Sequence, residues 1–344
     1  MDMSEGRPVE RSISHRVLRE MRDLSVGNRN IILDDLKKHV LRQAVIPDEE
    51  RDQTLLHPSE MCKPDWCYRA DYYRLAGIPI DGTKSASPSF RLENVWIEGH
   101  TIHRKWQTWL WEMGVLYGVF ECRQCQCRWW DRAPKECFYC GAVVEFLRYK
   151  EVPLTAPHLH LGGHADGGLW FDDSEPFRLL EVKSIGINSL RFDAPELYER
   201  YLNNETLDKI WMDIQRPFPV HVRQGALYLY MASLGVAEVP VPTEMIFLYE
   251  WKPNQDVKEF RVKLNDRLVE RALEGAHLVT KALETLRPPP RPAWATDEQV
   301  STCRGCKYRN TCWKIRNHDK HEAAQTPVIK ADAKLRRRAL ARKA

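Results

Sequence analysis

No apolar run in these 344 residues approaches the roughly 20 needed to cross a bilayer, and the opening MDMSEGRPVERS has no apolar signal segment. A membrane-spanning or exported chain is therefore not expected, and an intracellular, cytoplasmic setting is. The chain also lacks a GxxxxGK[ST] loop for gripping nucleotide phosphates, and it lacks an internal repeat. A strong overall charge is missing too. Formal net charge is +4, yet the last fifteen residues, Lys330 to Ala344, hold seven Lys or Arg against one Asp and leave the remainder at −2. That balance excludes a uniformly basic body. The tail alone can follow phosphates without sequence preference, or simply be a solvated terminus.

What the chain does contain is 43% hydrophobic residues, enough for one large core or two modest ones, and ten cysteines. In a reducing compartment, cysteines point to metal rather than disulfides. They fall into three groups: Cys62 and Cys67; Cys122, Cys125, Cys127, Cys137 and Cys140; and Cys303, Cys306 and Cys312.

Gly163-His164-Ala165-Asp166 is followed, fifteen residues after Asp166, by Glu181-Val182-Lys183. Residues 158–171 and 177–183 both read as strands, and alternation sends Glu181 and Lys183 to one face and Val182 to the other. Two carboxylates and an amine on neighbouring strands suit metal-assisted phosphodiester hydrolysis. The pattern is also that of a salt-bridged surface hairpin.

Along the chain, 12–44 carries two helical patterns, and an N-terminal helical segment is expected over 1–57. A helix start at Pro58-Ser59 and a stop at Gly77 bracket PSEMCKPDWCYRADYYRLAG, and 81–89 is a polar loop. A helix is expected from Leu92 to about Tyr117, with Trp96, Gly99, His103, Trp106, Leu110 and Met113 along one stripe. A cysteine-rich insert follows at 120–141. Strands are then expected at 143–150, 158–171 and 177–184, helical structure over 187–216 and Val220–Leu234, strands at 243–251 and 257–264, and a helix over 266–286. RPPPRPAW (287–294) is a stiff connector. The fold class is α/β, a mixed sheet flanked by helices.

In this order the motifs resemble the RecB-like branch of the PD-(D/E)XK nuclease superfamily: Gly99-x-x-x-His103, Gly163-x-x-Asp166, Glu181-x-Lys183 and Gln224-x-x-x-Tyr228. The resemblance spans residues 58–315 and implies a restriction-endonuclease-like core, with the basic tail at 316–344 outside it. Cys303-x2-Cys306-x5-Cys312 with a distant N-terminal cysteine resembles the iron–sulfur subset, which includes the AddB nuclease domain and the CRISPR-associated exonucleases of the Cas-four type. It implies a [4Fe-4S] cluster on Cys67, Cys303, Cys306 and Cys312, clipping the chain ends together. The family Pro after the first ligand is absent, which leaves Cys62 as an alternative to Cys67. Four thiolates also suit zinc. The cysteine-rich insert is not part of the family pattern.

Hydrolysis of this kind uses a divalent cation that neutralises phosphate and lowers the pKa of a bound water. Asp166, Glu181 and the Val182 carbonyl offer oxygen, and His103 an imidazole, a set for Mg²⁺ or Mn²⁺. Lys183 would hold the attacking hydroxide or offset charge in the transition state. Gln224 and Tyr228 share a helix face; by the resemblance, Gln224 hydrogen-bonds near the metal or the DNA backbone and Tyr228 packs there. His221, one turn earlier, is a candidate phosphate contact.

Cys122-x2-Cys125 and Cys137-x2-Cys140 form two knuckles of zinc-ribbon type, with Cys127 an alternative to Cys125. The intervening loop carries Trp129 and Trp130 with Arg128, Arg132 and Lys135. These residues suit base stacking and phosphate contact, and the tryptophans equally suit covering the ribbon. The expectation is a metal-dependent DNA exonuclease acting on single-stranded ends, in recombination, end processing or phage DNA metabolism. A helicase, recombinase or CRISPR-type protein would be its partner. The rivals are a structure-specific flap endonuclease using the same site, a non-catalytic iron–sulfur and zinc DNA-binding scaffold, and a zinc-dependent RNA-processing factor.

Overall fold

One strand, Arg178–Ile185, has two faces of different chemistry, and the sheet is built around it. The computed structural model describes residues 32–43, 52–81, 89–235 and 240–314. The basic tail, most of the segment 1–57 and most of the loop 81–89 lie outside the described residues. Two compact units divide the chain: residues 1–47 with 85–95, and residues 48–84 with 96–344. In the first, α1 (Leu33–Gln43) places Asp34 and Asp35 in its first turn and Arg42 in its last, charges that suit the helix dipole.

In chain order there follow α2 (Pro58–Met61), α3 (Tyr68–Leu75), α4 (Phe90–Glu112), β1 (Leu116–Cys122), β2 (Arg128–Arg132), β3 (Leu147–Tyr149), β4 (Val152–Ala156), β5 (Leu161–Ala165), β6 (Gly167–Leu169) and β7 (Arg178–Ile185). Then come α5 (Ile187–Asp193), α6 (Pro195–Leu202), α7 (Leu207–Asp213), α8 (Pro219–Ser233), β8 (Met245–Trp251), β9 (Val257–Val262), α9 (Asp266–Thr285), α10 (Ser301–Arg304) and α11 (Arg309–Lys314).

Seven strands form a mixed sheet in the order β2-β1-β6-β7-β8-β9, with β3 also beside β1. Only β7 and β8 run parallel, and α5 to α8 supply the crossover that a parallel pair requires. β4 and β5 make a separate two-stranded ribbon. The alternation of β7 divides the core. Leu180 and Val182 pack with Ile102, Val115, Leu169 and Ile246, with Trp106 and Leu110 of α4 against them. Leu179 and Ile185 point into the larger core with Leu227 and Met231 of α8, Ala276 and Val279 of α9, and Phe247, Tyr249 and Trp251 of β8. Each such side chain, fully buried, stabilises the fold by about 1.5–3 kcal/mol. Glu181 and Lys183 share the second face, so two charged groups sit at the margin of the larger core.

Three sequence expectations change. The helix meant to reach Tyr117 stops at Glu112, because Gly114 takes φ +79 and Val115, Tyr117, Val119 and Phe120 are strand-formers. Its stripe is only half-buried, at Gly99, His103, Trp106 and Leu110, and Trp96 and Met113 at the ends are exposed. The strand expected over 143–150 forms only at Leu147–Tyr149 and is followed by β4. The single strand expected over 158–171 splits. His160 takes a left-handed φ of +53 just before β5, and Asp166 separates β5, paired with β4, from β6, paired with β1 and β7.

Candidate active site and cysteine centres

Asp166 occupies the point where the chain leaves the ribbon and enters the sheet. Its neighbour Gly167 pairs with Leu180, so the register sets Asp166 beside Glu181. The Val182 N–H donates to Asp166 Oδ2 at 2.6 Å, and His103 Nδ1 lies 3.0 Å from Asp166 Oδ1. His103 is carried there by α4, one residue beyond Ile102, which is buried on the sheet. Lys183 Nζ donates to Glu181 Oε1 at 2.7 Å and to Gln224 Oε1 at 3.1 Å. Gln224 Nε2 donates to the same Glu181 oxygen at 2.9 Å and lies 3.5 Å from the Tyr228 hydroxyl. Tyr228 also packs over Gly163, where a Cβ would stand 3.1 Å from its ring; the glycine permits this approach. Asp166, Glu181, Lys183, His103, Gln224 and Tyr228 thus converge, and Val182 contributes its N–H.

Two residues of this centre were not singled out from sequence. Gln107, one turn after His103, donates to the Asp166 carbonyl at 2.9 Å. Glu151 precedes Val152, which pairs with Ala165, so the ribbon register brings Glu151 opposite Asp166. Its backbone takes φ +67, a left-handed conformation that costs a non-glycine residue free energy. Neither residue carries a local motif; only the β4–β5 pairing and the helical turn from His103 would have revealed them.

Electrostatics follow from burial. Burial, then the charges of Asp166 and Glu181, pushes the Glu151 carboxyl up to about 8. Burial likewise lifts Glu181 to about 7, against the pull of the Lys183 ammonium. For Asp166, burial alone would raise the pKa, but the charge and hydrogen bond of His103, then Lys183 and the Val182 N–H, hold it below the usual carboxylate range. Burial alone would lower His103 and Lys183, and the neighbouring carboxylates outweigh it and raise both. Glu181 Oε2 is buried and has no hydrogen-bond partner. An orphaned carboxylate oxygen beside two further carboxylates is the arrangement a cation satisfies. His221 is not open to a phosphate contact: it is buried and hydrogen-bonded to the Tyr249 hydroxyl.

Cys122, Cys125, Cys137 and Cys140 bring their sulfurs within 4.8 Å of one another and could hold a metal. Cys122 and Cys140 are 3.7 Å apart, as are Cys125 and Cys137. Cys127 is not one of the four. Residues 128–132 form a strand rather than the expected loop, paired with β1. Trp129 is buried in the small core of this module with Phe120, Cys122, Cys137, Ala142 and Leu147, and Trp130 stacks on Tyr117 at 5.9 Å. Of the two roles open to the tryptophans from sequence, the packing one matches the burial of Trp129 and the contact of Trp130 with Tyr117.

Cys67, Cys303, Cys306 and Cys312 line one cavity of about 360 Å³ together with Trp66, Tyr73, Arg291 and Trp313. Cys62 does not line it; it is buried, with its carbonyl accepting from Arg223 Nε at 3.0 Å. Burial pushes the Cys67 thiol up to about 12 and raises Cys303 and Cys306. Arg291 stands beside the cavity with Nε 3.4 Å from Cys312 Sγ. Around it the early and late segments are stitched together: Arg69 to the Pro289 carbonyl at 2.7 Å, Thr302 to Asp65 at 2.9 Å, and the Thr311 N–H to Asp81 at 2.9 Å. Among the described residues, the group from Cys122 to Cys140 alone meets the close spacing of a single-ion site. The cavity cysteines and the acid centre are both wider.

No family model matches the chain, and no curated protein matches it. Among solved structures, that of SSO0001 is similar with a TM-score of 0.35 at 14% identity, covering 81% of this chain and 95% of that one. An alkaline exonuclease (LHK-Exo) from Laribacter hongkongensis gives a TM-score of 0.32 at 10% identity, covering 72% of this chain and 93% of that one. Likenesses this remote leave the reading of the site to its own geometry.

Proposed function

We propose that this chain is a divalent-metal-dependent deoxyribonuclease of the RecB-like PD-(D/E)XK type, an exonuclease that digests DNA from single-stranded ends. The observation that carries the reading is the meeting of Asp166, Glu181, Lys183 and His103, drawn from β5–β6, β7 and α4, around a buried carboxylate oxygen with no partner. A bound Mg²⁺ or Mn²⁺ would supply charge neutralisation of phosphate and acidification of water. Asp166 and Glu181 would hold it, with the Val182 carbonyl adding oxygen. With Nδ1 turned to Asp166, His103 keeps Nε2 for a cation, which favours Mn²⁺. Lys183, kept protonated by Glu181 and Asp166, stabilises negative charge on the attacked phosphate. Gln224 positions both Glu181 and Lys183, and buried Tyr228 keeps water from that side.

The two cysteine centres take different groups in this reading. A zinc ion with Zn–S of about 2.3 Å has sulfurs about 3.8 Å apart, and the 3.7 Å pairs of the Cys122 group support zinc there. A wider set around a roomy cavity supports a [4Fe-4S] cluster on Cys67, Cys303, Cys306 and Cys312. Its role is structural, joining segments far apart in sequence. DNA end processing or recombination is the setting that fits.

The test is digestion by anaerobically purified protein with Mn²⁺ of end-labelled linear single strands beside a closed single-stranded circle. Loss of the linear strand and survival of the circle support an exonuclease. Cutting of the circle supports a structure-specific endonuclease, and no cutting of either leaves a DNA-binding scaffold.

A further inference from the structure

The four-cysteine module displays aromatic surface that its own small core does not use. Phe138 is 78% exposed and Tyr139 57%, side by side in the turn between Cys137 and Cys140. Their rings meet edge to face at 5.3 Å, and Trp129 backs Tyr139 at 6.1 Å. The turn is anchored at both ends, since the two flanking sulfurs each lie 3.7 Å from a partner sulfur. Phe146, also exposed, lies alongside Arg123, whose N–H donates to its carbonyl at 2.8 Å. Rings held outward on a fixed turn forgo the stabilisation that burial would give them.

Charge says what covers them. Residues 121–150 hold six Lys or Arg against four Asp or Glu, in a chain that is net negative before its tail. At the surface the contrast is sharper: five of the six cations are exposed, Arg128 among them paired with Glu121, against Glu136 and Glu145 alone among the acids. Exposed aromatic rings on a module whose exposed charges are mostly cationic match a flexible polyanion with flat apolar bases.

We infer that the Phe138–Tyr139 turn is a binding site for single-stranded nucleic acid, the two rings stacking successive bases while Arg123, Lys135 and Arg148 meet phosphates. The site extends the proposed function by giving the substrate strand a second hold away from the acid centre. It requires a filled four-cysteine centre but no cutting, so a binding assay without added divalent cation separates the two readings.

The experiment measures fluorescence anisotropy of a labelled oligothymidylate with the full-length, zinc-loaded protein, its metal content determined alongside. Removing both stacking rings in the Phe138→Ala, Tyr139→Ala double variant weakens binding by about tenfold or more. Tyr139→Phe with Phe138→Trp keeps the affinity. The Arg123→Gln, Lys135→Gln, Arg148→Gln variant flattens the salt dependence, by about 0.7 in slope for each phosphate no longer neutralised. Undiminished binding by the alanine variant at full zinc content overturns the proposal. If that variant loses its zinc, an unchanged affinity and salt slope in the glutamine variant overturns it instead. A dimer in sedimentation that the ring substitutions dissolve, with oligonucleotide affinity unaltered, assigns the surface to a second copy of the chain and likewise overturns it.

Discussion

Lys183 Nζ reaches Glu181 Oε1 at 2.7 Å, and Gln224 Nε2 reaches the same oxygen at 2.9 Å, so both donors load one side of the carboxylate and leave Oε2 bare. A buried carboxylate treated this way is oriented rather than neutralised. The free oxygen remains available for a cation, and the two donors fix where it points.

Substitutions at this junction should therefore separate by role. Asp166→Asn and Glu181→Gln remove the proposed cation ligands and should lower the cleavage rate by on the order of 10²–10³-fold or more, with DNA binding retained. Lys183→Ala should lower kcat similarly with little change in KM, because its charge acts on the transition state. Gln224→Ala should cost less, since Lys183 still holds Glu181. Single-turnover cleavage and anisotropy on the same substrate separate the two effects.

Metal binding should be linked to protons. Glu181 and Glu151, raised to about 7 and about 8, hold protons that a cation must displace. The apparent Mn²⁺ affinity should therefore fall as pH drops from 8 to 6. Calorimetry in two buffers of different ionisation enthalpy should show proton release on binding, and Glu151→Gln should release fewer protons.

The legible part of this site was local. Alternation along β7 set Glu181 and Lys183 on one face, and the four-residue spacing of Gln224 and Tyr228 set them on one helix face. Glu151 was not legible. Its flanks, Lys150 and Val152, look like an ordinary strand start, and its place opposite Asp166 arises only from the ribbon register that runs from Val152 against Ala165 to Ala156 against Leu161. The split at Asp166 was hidden for a similar reason: glycines at 162–163 and 167–168 read as one interrupted strand until the sheets that claim each half are known. For the cysteines, spacing picked out Cys122, Cys125, Cys137 and Cys140 with Cys127 as an alternative, the link of Cys67 to the late cysteines rested on the family resemblance, and the burial of Trp129 depended on the pairing of β2 with β1.

The two cysteine centres should fail independently. Cys140→Ser should lower zinc and leave iron unchanged, whereas Cys306→Ser should lower iron, abolish absorption in the visible and leave zinc in place. Elemental analysis of anaerobically purified protein checks both. Because the cavity lies where Asp65, Arg69 and Asp81 meet the segment 289–311, Cys306→Ser should also lower the Tm more than Cys140→Ser.

His221 should make stability depend on pH. Burial, aided by the Lys183 charge, holds its pKa well below 6.5, so the folded chain keeps it neutral while the unfolded chain takes up a proton below about 6.5. Its contribution is therefore complete above that pH and is lost as the pH falls through it. Urea midpoints at about pH 7.5 and about pH 5.5 should differ more for the wild type than for His221→Phe, which removes the titrating group.

The central claim is that side chains from α4, β5–β6 and β7 grip one divalent ion, and Mn²⁺ binding followed by electron paramagnetic resonance tests it most directly. The wild type should bind Mn²⁺ tightly with a nitrogen coupling from an imidazole. His103→Gln should lose that coupling, and Asp166→Asn and Glu181→Gln should each lose most of the affinity. Equal Mn²⁺ affinity in the wild type and both carboxylate variants, with no nitrogen coupling in any of them, would contradict it.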